Sequence, residues 1–155
     1  MNNADYFKDD FLDSLVEFQL LNPEVYIGGS VALMLQQAIP YRKPKDLDLV
    51  TFTEKTFAEL KGISRRRAEY GFYGYVVGGM LCELMCDPEP IELVEYKHGS
   101  GIIRLGTIDR IVYWKNSYAE RLSYAESLNP MFGHKLIQSI HKHMEDIDHI
   151  NNNIK

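Results

Sequence analysis

YIGGSVALMLQQAIPYRKPKDLDLVTF, residues 26–52, opens within a short apolar run, Val25 to Ile27, and turns at Gly28-Gly29-Ser30. An apolar helical segment, a basic loop and a strand carrying Asp46 and Asp48 follow. Gly28 and Gly29 lack a Cβ, so the chain can turn sharply and a ligand can come close. Ser30 is a suitable N-cap for the next helix. A turn joined to a helix start directs free N–H groups and the positive end of the helix dipole outward, which suits an anion. In a strand, residues i and i+2 point to the same face, so Asp46 and Asp48 share one. Two neighbouring carboxylates repel unless a cation lies between them. The stretch therefore reads as a phosphate cradle facing a metal site.

The 155 residues suit one domain with a substantial core. With 45% hydrophobic and 25% charged residues, the composition is that of an ordinary soluble protein. No apolar run approaches the ~20 residues that span a bilayer. The polar, acidic N-terminus argues against a secretory signal. Cys82 and Cys86 lie in an apolar segment and read as reduced core thiols, with a cytoplasmic setting expected and no membrane partner. The net charge of -5 argues against broad, non-specific nucleic-acid binding. Two local basic patches remain, Arg42, Lys43 and Lys45, then Arg65, Arg66 and Arg67. Each is either a solvated loop or a contact for polyphosphate or RNA.

Outward from the central stretch, Asp5 to Leu21 has Phe7, Phe11, Leu12, Leu15 and Phe18 at helical spacing, and Asn22-Pro23 ends it. Ser30 to Gln37 is expected to be a helix, Tyr41 to Lys45 a loop and Leu47 to Phe52 a strand. Thr53 to about Lys61 reads as a helix capped by Thr53, and Ser64 to Gly71 as a short helix or loop. Two β-rich runs, Phe72 to Val77 and Met80 to Cys86, flank Gly78-Gly79 as a hairpin. Strands are expected at Ile91 to Tyr96 and Ile102 to Leu105. Thr107 caps a helix reaching about Leu122, and a last helix spans about Pro130 to Ile150, leaving Asn151 to Lys155 frayed. The pattern predicts a single α+β or α/β domain, with a core over about 22–105 and a helical part over about 107–150.

Asp-x-Asp on a strand offers hard oxygen ligands that suit Mg²⁺. A third carboxylate should come from a neighbouring strand. Glu83, between apolar neighbours in LCELMC, is the preferred candidate, and Glu92 in IELVEY is the alternative. Glu95 points to the opposite face from Glu92. His134, His141, His143 and His149 match no zinc pattern.

Tyr26 to Leu33 together with Arg42 to Phe52 resembles the signature of the DNA polymerase β-like nucleotidyltransferase superfamily. That signature is an apolar residue with Gly-Gly or Gly-Ser, then an Asp-x-Asp strand, then a third acid on a later strand. The nearer resemblance is to the small bacterial branch, the AbiEii-like toxin, minimal and antibiotic nucleotidyltransferases. Arg42 stands at the Arg position of the AbiEii-like group, four residues before the first Asp. Pro44 replaces the usual Ser or Thr, and Glu83 replaces the more frequent Asp. The run His141 to Asp148 is similar to a basic–acidic motif near a helix end. The resemblance implies a small mixed β-sheet nucleotidyltransferase core with flanking helices and C-terminal helices. It implies Mg²⁺ or Mn²⁺ on Asp46, Asp48 and Glu83. Gly28, Gly29, Ser30, Arg42, Lys45 and Lys142 would contact a nucleoside triphosphate.

The implied reaction is transfer of a nucleoside monophosphate to an acceptor, either an RNA end or a small molecule. An AbiEii-like toxin would have a cognate antitoxin as partner. The alternatives are an antibiotic nucleotidyltransferase of lincosamide or aminoglycoside type, an inactive nucleotide-binding or regulatory member of the fold, and an unrelated α+β domain with structural Gly-Gly-Ser and Asp-x-Asp.

Overall fold

A computed structural model describes residues 6–67, 73–89, 92–128 and 133–153. The chain divides into two compact units, Met1–Thr107 and Ile108–Lys155. The first is α+β. Helix α1 (Asp9–Leu21) precedes strand β1 (Val25–Gly28), helix α2 (Gly29–Leu35) and strand β2 (Asp46–Thr51). Strands β3 (Ser64–Arg67), β4 (Tyr73–Val77), β5 (Met80–Cys86), β6 (Leu93–His98) and β7 (Gly101–Gly106) complete a seven-stranded mixed sheet, ordered β3-β4-β5-β2-β1-β7-β6.

The sheet centre is apolar because its strands are covered on at least one face. Leu47 and Leu49 of β2, Ile103 and Leu105 of β7, and Val25 and Ile27 of β1 are at most 2% exposed. Each such aliphatic side chain contributes about 1.5–3 kcal/mol on burial. α1 covers the face of Gly101, where a Cβ would run into Val16. Buried Gln19 stitches that helix to the sheet: its Nε2 donates to Val25 O at 2.7 Å, and its Oε1 accepts from Arg104 N at 2.9 Å. Asn22 donates to Lys61 O at 2.8 Å and accepts from Lys61 N at 2.9 Å. Polar groups buried this deeply are expected to be paired, and these are.

The Gly78-Gly79 hairpin forms as expected, with φ of 58° and 80° at the two glycines, the positive pair that a two-residue turn of this kind requires. Two segments differ in kind from expectation. Thr53 to Lys61 is no α-helix; only a 3₁₀ turn, Phe57–Glu59, forms there. Phe57 stacks on Tyr75 at 4.3 Å, Leu60 is buried and Lys61 is held by Asn22, so anchors along the segment draw it over the sheet. Ser64–Arg67 is edge strand β3, antiparallel to β4, where a short helix or loop was expected. α1 begins at Asp9, three residues after the first described residue, and Asp5 lies outside the described residues.

The second unit is a pair of helices, α3 (Ile108–Leu128) and α4 (Gly133–Asn153). α3 extends past Leu122, and α4 continues through Asn151 to Asn153, where fraying was expected. Among the described residues, no helix is long and apolar enough to cross a membrane.

Candidate functional site

β1 ends at Gly28, which takes the cap position of α2 in an extended conformation without a side-chain cap bond. Ser30 is therefore inside the first turn of the helix and not its N-cap. Its Oγ instead accepts a 2.8 Å hydrogen bond from Arg42 Nη2. The same Arg42 donates its backbone N–H to Met34 Sδ at 3.3 Å. These two contacts fold the Tyr41-to-Lys45 loop back over α2. Gly29 has φ of +62°, and a Cβ on it would overlap the Asp48 carboxylate. Only glycine meets both demands, a left-handed backbone and a carboxylate resting on its Cα.

β1 and β2 are antiparallel, with Gly28 opposite Asp48 and Ile27 opposite Leu49. β2 and β5 are parallel, with Asp46 beside Leu81, Asp48 beside Glu83 and Leu49 beside Leu84. Side chains in register point to the same face, so Asp46, Asp48 and Glu83 share one face of the sheet. Leu47 and Leu49 turn the other way, into the core, in register with Cys82 and Leu84. Asp46 and Glu83 are exposed, and Asp48 is half-buried. Leu81, on the same face, is 36% exposed. Glu92 precedes β6 at the far edge of the sheet, three strands from β2. At about 4.8 Å per strand it lies too far across for a shared ion.

Among the described residues, no group of three or more His, Cys, Asp and Glu side chains is gathered to hold a metal ion. The backbone spacings are nevertheless compatible with one: about 4.8 Å between paired strands and about 6.6 Å between i and i+2. Carboxylate rotation spans such gaps. The donor set is all hard oxygen, and Gly29 leaves the cavity that the Asp48 carboxylate fills. A donor set of this chemistry is of the kind that suits Mg²⁺ or Mn²⁺.

Behind this face, burial pushes the Cys82 thiol from its ordinary value near 9 up to about 12, and the charges of Asp46 and Asp48 push the same way, while a backbone hydrogen bond from Val77 opposes them. Both cysteines are free. Lys43 and Lys45 are exposed in the loop before Asp46. Lys142 is half-buried on α4, in the second unit.

Two clusters escaped sequence reasoning. In the second unit, Lys115 Nζ pairs with Asp146 Oδ2 at 2.9 Å, with side chains only 6% and 3% exposed. His143 Nδ1 lies 3.3 Å from the same Nζ, and Tyr118 stacks on its ring. The only prior signal was the helical periodicity that sets Asp146 and His143 one turn apart. In the first unit, Tyr6 stacks on Tyr41 at 4.8 Å and Phe7 meets Tyr41 edge-on at 5.3 Å. Nothing in local spacing joins positions so far apart in the chain.

Compared with known proteins, the chain matches no family model, no curated protein and no solved structure.

Proposed function

We propose that this chain is a metal-dependent nucleotidyltransferase of the polymerase β-like kind, moving a nucleoside monophosphate from a nucleoside triphosphate to an acceptor hydroxyl. The observation that carries the proposal is the β2–β5 register. It sets Glu83 beside Asp48, with Asp46 on the same face and Gly28 across from Asp48.

Asp46, Asp48 and Glu83 would hold Mg²⁺ or Mn²⁺. When bound, the metal would neutralise triphosphate charge and lower the pKa of a coordinated hydroxyl. The backbone N–H groups at Gly29 and Ser30 would orient the triphosphate, and Arg42, held by Ser30, would neutralise part of its charge. Glu83 would accept the acceptor's proton as its oxygen attacks the α-phosphorus. The new P–O bond forms as the bond to pyrophosphate breaks. Lys45, exposed in the loop before Asp46, is assigned to phosphate contact. Within this class, an AbiEii-like toxin with an antitoxin partner and an antibiotic-modifying enzyme differ in acceptor, RNA end against hydroxylated small molecule.

One observation favours a second reading, an inactive nucleotide-binding member of the fold: the three carboxylates are not gathered round one point. The two readings separate on turnover. Wild-type chain incubated with labelled nucleoside triphosphate, Mg²⁺ and either total RNA or a panel of hydroxylated small molecules should label one acceptor. Glu83→Gln should slow this by about 10²–10⁴-fold, the range for losing a general base. Asp46→Asn combined with Asp48→Asn should abolish both labelling and Mg²⁺-dependent nucleotide binding. Equal binding by wild type and the double variant rejects the proposal. Binding without any labelling selects the inactive member.

A further inference from the structure

We propose that the outer face of Tyr6, backed by Tyr41, is the platform on which the nucleobase of the bound nucleotide stacks; this rests on the nucleotide-binding reading above. The topology brings the pair to the right end of the sheet. β1 ends at Gly28, opposite Asp48 of β2. Phe11, near the start of α1, lies where a Cβ on Gly78 would fall, at the hairpin turn. That turn adjoins Leu81, the partner of Asp46. Phe11 of α1, the end of β1 and the start of β2 therefore lie towards the same end of the central strands.

The link to the phosphate turn is short. Arg42, bonded to Ser30 Oγ at 2.8 Å, follows Tyr41 directly in the chain. Tyr41 is parallel to Tyr6, at 4.8 Å between ring centres and 11° between planes. Phe7 braces Tyr41 edge-on, at 88°, and itself stacks on Phe11. Phe7 and Phe11 are buried, at 6% and 8%, whereas Tyr6 is 50% exposed. The inner aromatics are core, and the outermost presents a ring to solvent. Rings already stacked leave no slot for a third between them, so a base would add to the outer face of Tyr6. Every base has a π-face, so such a platform accepts any of the four and favours the larger purines. A purely structural role for Tyr6 would lower stability without selecting between nucleotide and bare polyphosphate.

Calorimetric titration of the full chain with Mg-ATP, Mg-CTP and Mg-tripolyphosphate tests this in wild type, Tyr6→Phe, Tyr6→Leu and Tyr6→Ala. Leucine keeps an apolar group against Tyr41 and removes the aromatic face, so it guards against a misfolded alanine variant. Tyr6→Leu and Tyr6→Ala should weaken Mg-ATP by about 5- to 100-fold, Mg-CTP by less, and leave Mg-tripolyphosphate unchanged, while Tyr6→Phe stays within about twofold of wild type. If wild type binds ATP and removal of the ring weakens ATP and tripolyphosphate equally, or neither, the platform is overturned and the nucleotide site stands. A wild-type chain that binds neither ligand overturns both.

Discussion

Cys82 shows what burial does to a single atom, with the charges of Asp46 and Asp48 adding to it. Burial pushes its thiol from an ordinary value near 9 up to about 12. The folded pKa is the raised one, so its stabilising contribution is complete below about 9 and is lost as pH climbs from there towards 12. Stability measured by thermal melts should fall across that window, and Cys82→Ala should flatten the decline. Near pH 8 the folded chain should react with a thiol reagent at Cys82 far more slowly than the urea-unfolded chain does, because the thiolate is the nucleophile. The sequence revealed that this cysteine sits in an apolar run. It could not reveal that Asp46 and Asp48 lie close enough to act on it, because they come from another strand.

At the scale of elements, the helix pair of the second unit turns on a buried charge pair. Lys115 and Asp146 are almost wholly out of water, so removing one partner leaves the other's charge buried without its ion pair. Asp146→Asn or Lys115→Met should destabilise the chain by about 3–5 kcal/mol, and the combination of Lys115→Met with Asp146→Leu should recover most of it. Trp114, the only tryptophan, neighbours Lys115 on α3 and reports the transition in a urea titration followed by fluorescence. Elements with a local cause were legible in the sequence: the Gly78-Gly79 hairpin, the Asp46–Thr51 strand, and α1 with its phenylalanine stripe. Those made by distant partners were not. β3 is a strand because β4 pairs with it, and four residues reading Ser-Arg-Arg-Arg carry no alternation to announce that. Thr53 to Lys61 has helical composition, but Asn22 and Tyr75 hold its end and its middle.

For the whole molecule, strand order decides what strand composition leaves open. Glu83 and Glu92 were both acids in apolar strands; the order β5-β2-β1-β7-β6 sets one beside Asp48 and the other at the opposite edge. No periodicity encodes that order, since it depends on which strands pair across long loops. If the proposed site binds as described, the fold gains stability from its ligand. Mg²⁺ with a nucleoside triphosphate at a hundredfold its Kd should add about 2.7 kcal/mol, a Tm rise of about 5–10 °C. Neither Mg²⁺ nor nucleotide alone should reproduce it, and the Asp46→Asn, Asp48→Asn double variant should show no such rise.

Gly29 and Asp48 stand nineteen positions apart, yet one occupies the space the other would need for a Cβ. The two positions are thus a single unit of heredity, and their substitutions should be epistatic. Gly29→Ala should cost the left-handed strain, about 1–2 kcal/mol, plus displacement of the carboxylate. Asp48→Ala should remove most of the second cost, leaving only its own Cβ at 3.2 Å, and none of the first. A double-mutant cycle by urea unfolding should therefore show the pair less destabilised than the sum of the singles, and a selection for folded variants should admit side chains at position 29 chiefly where position 48 has been shortened.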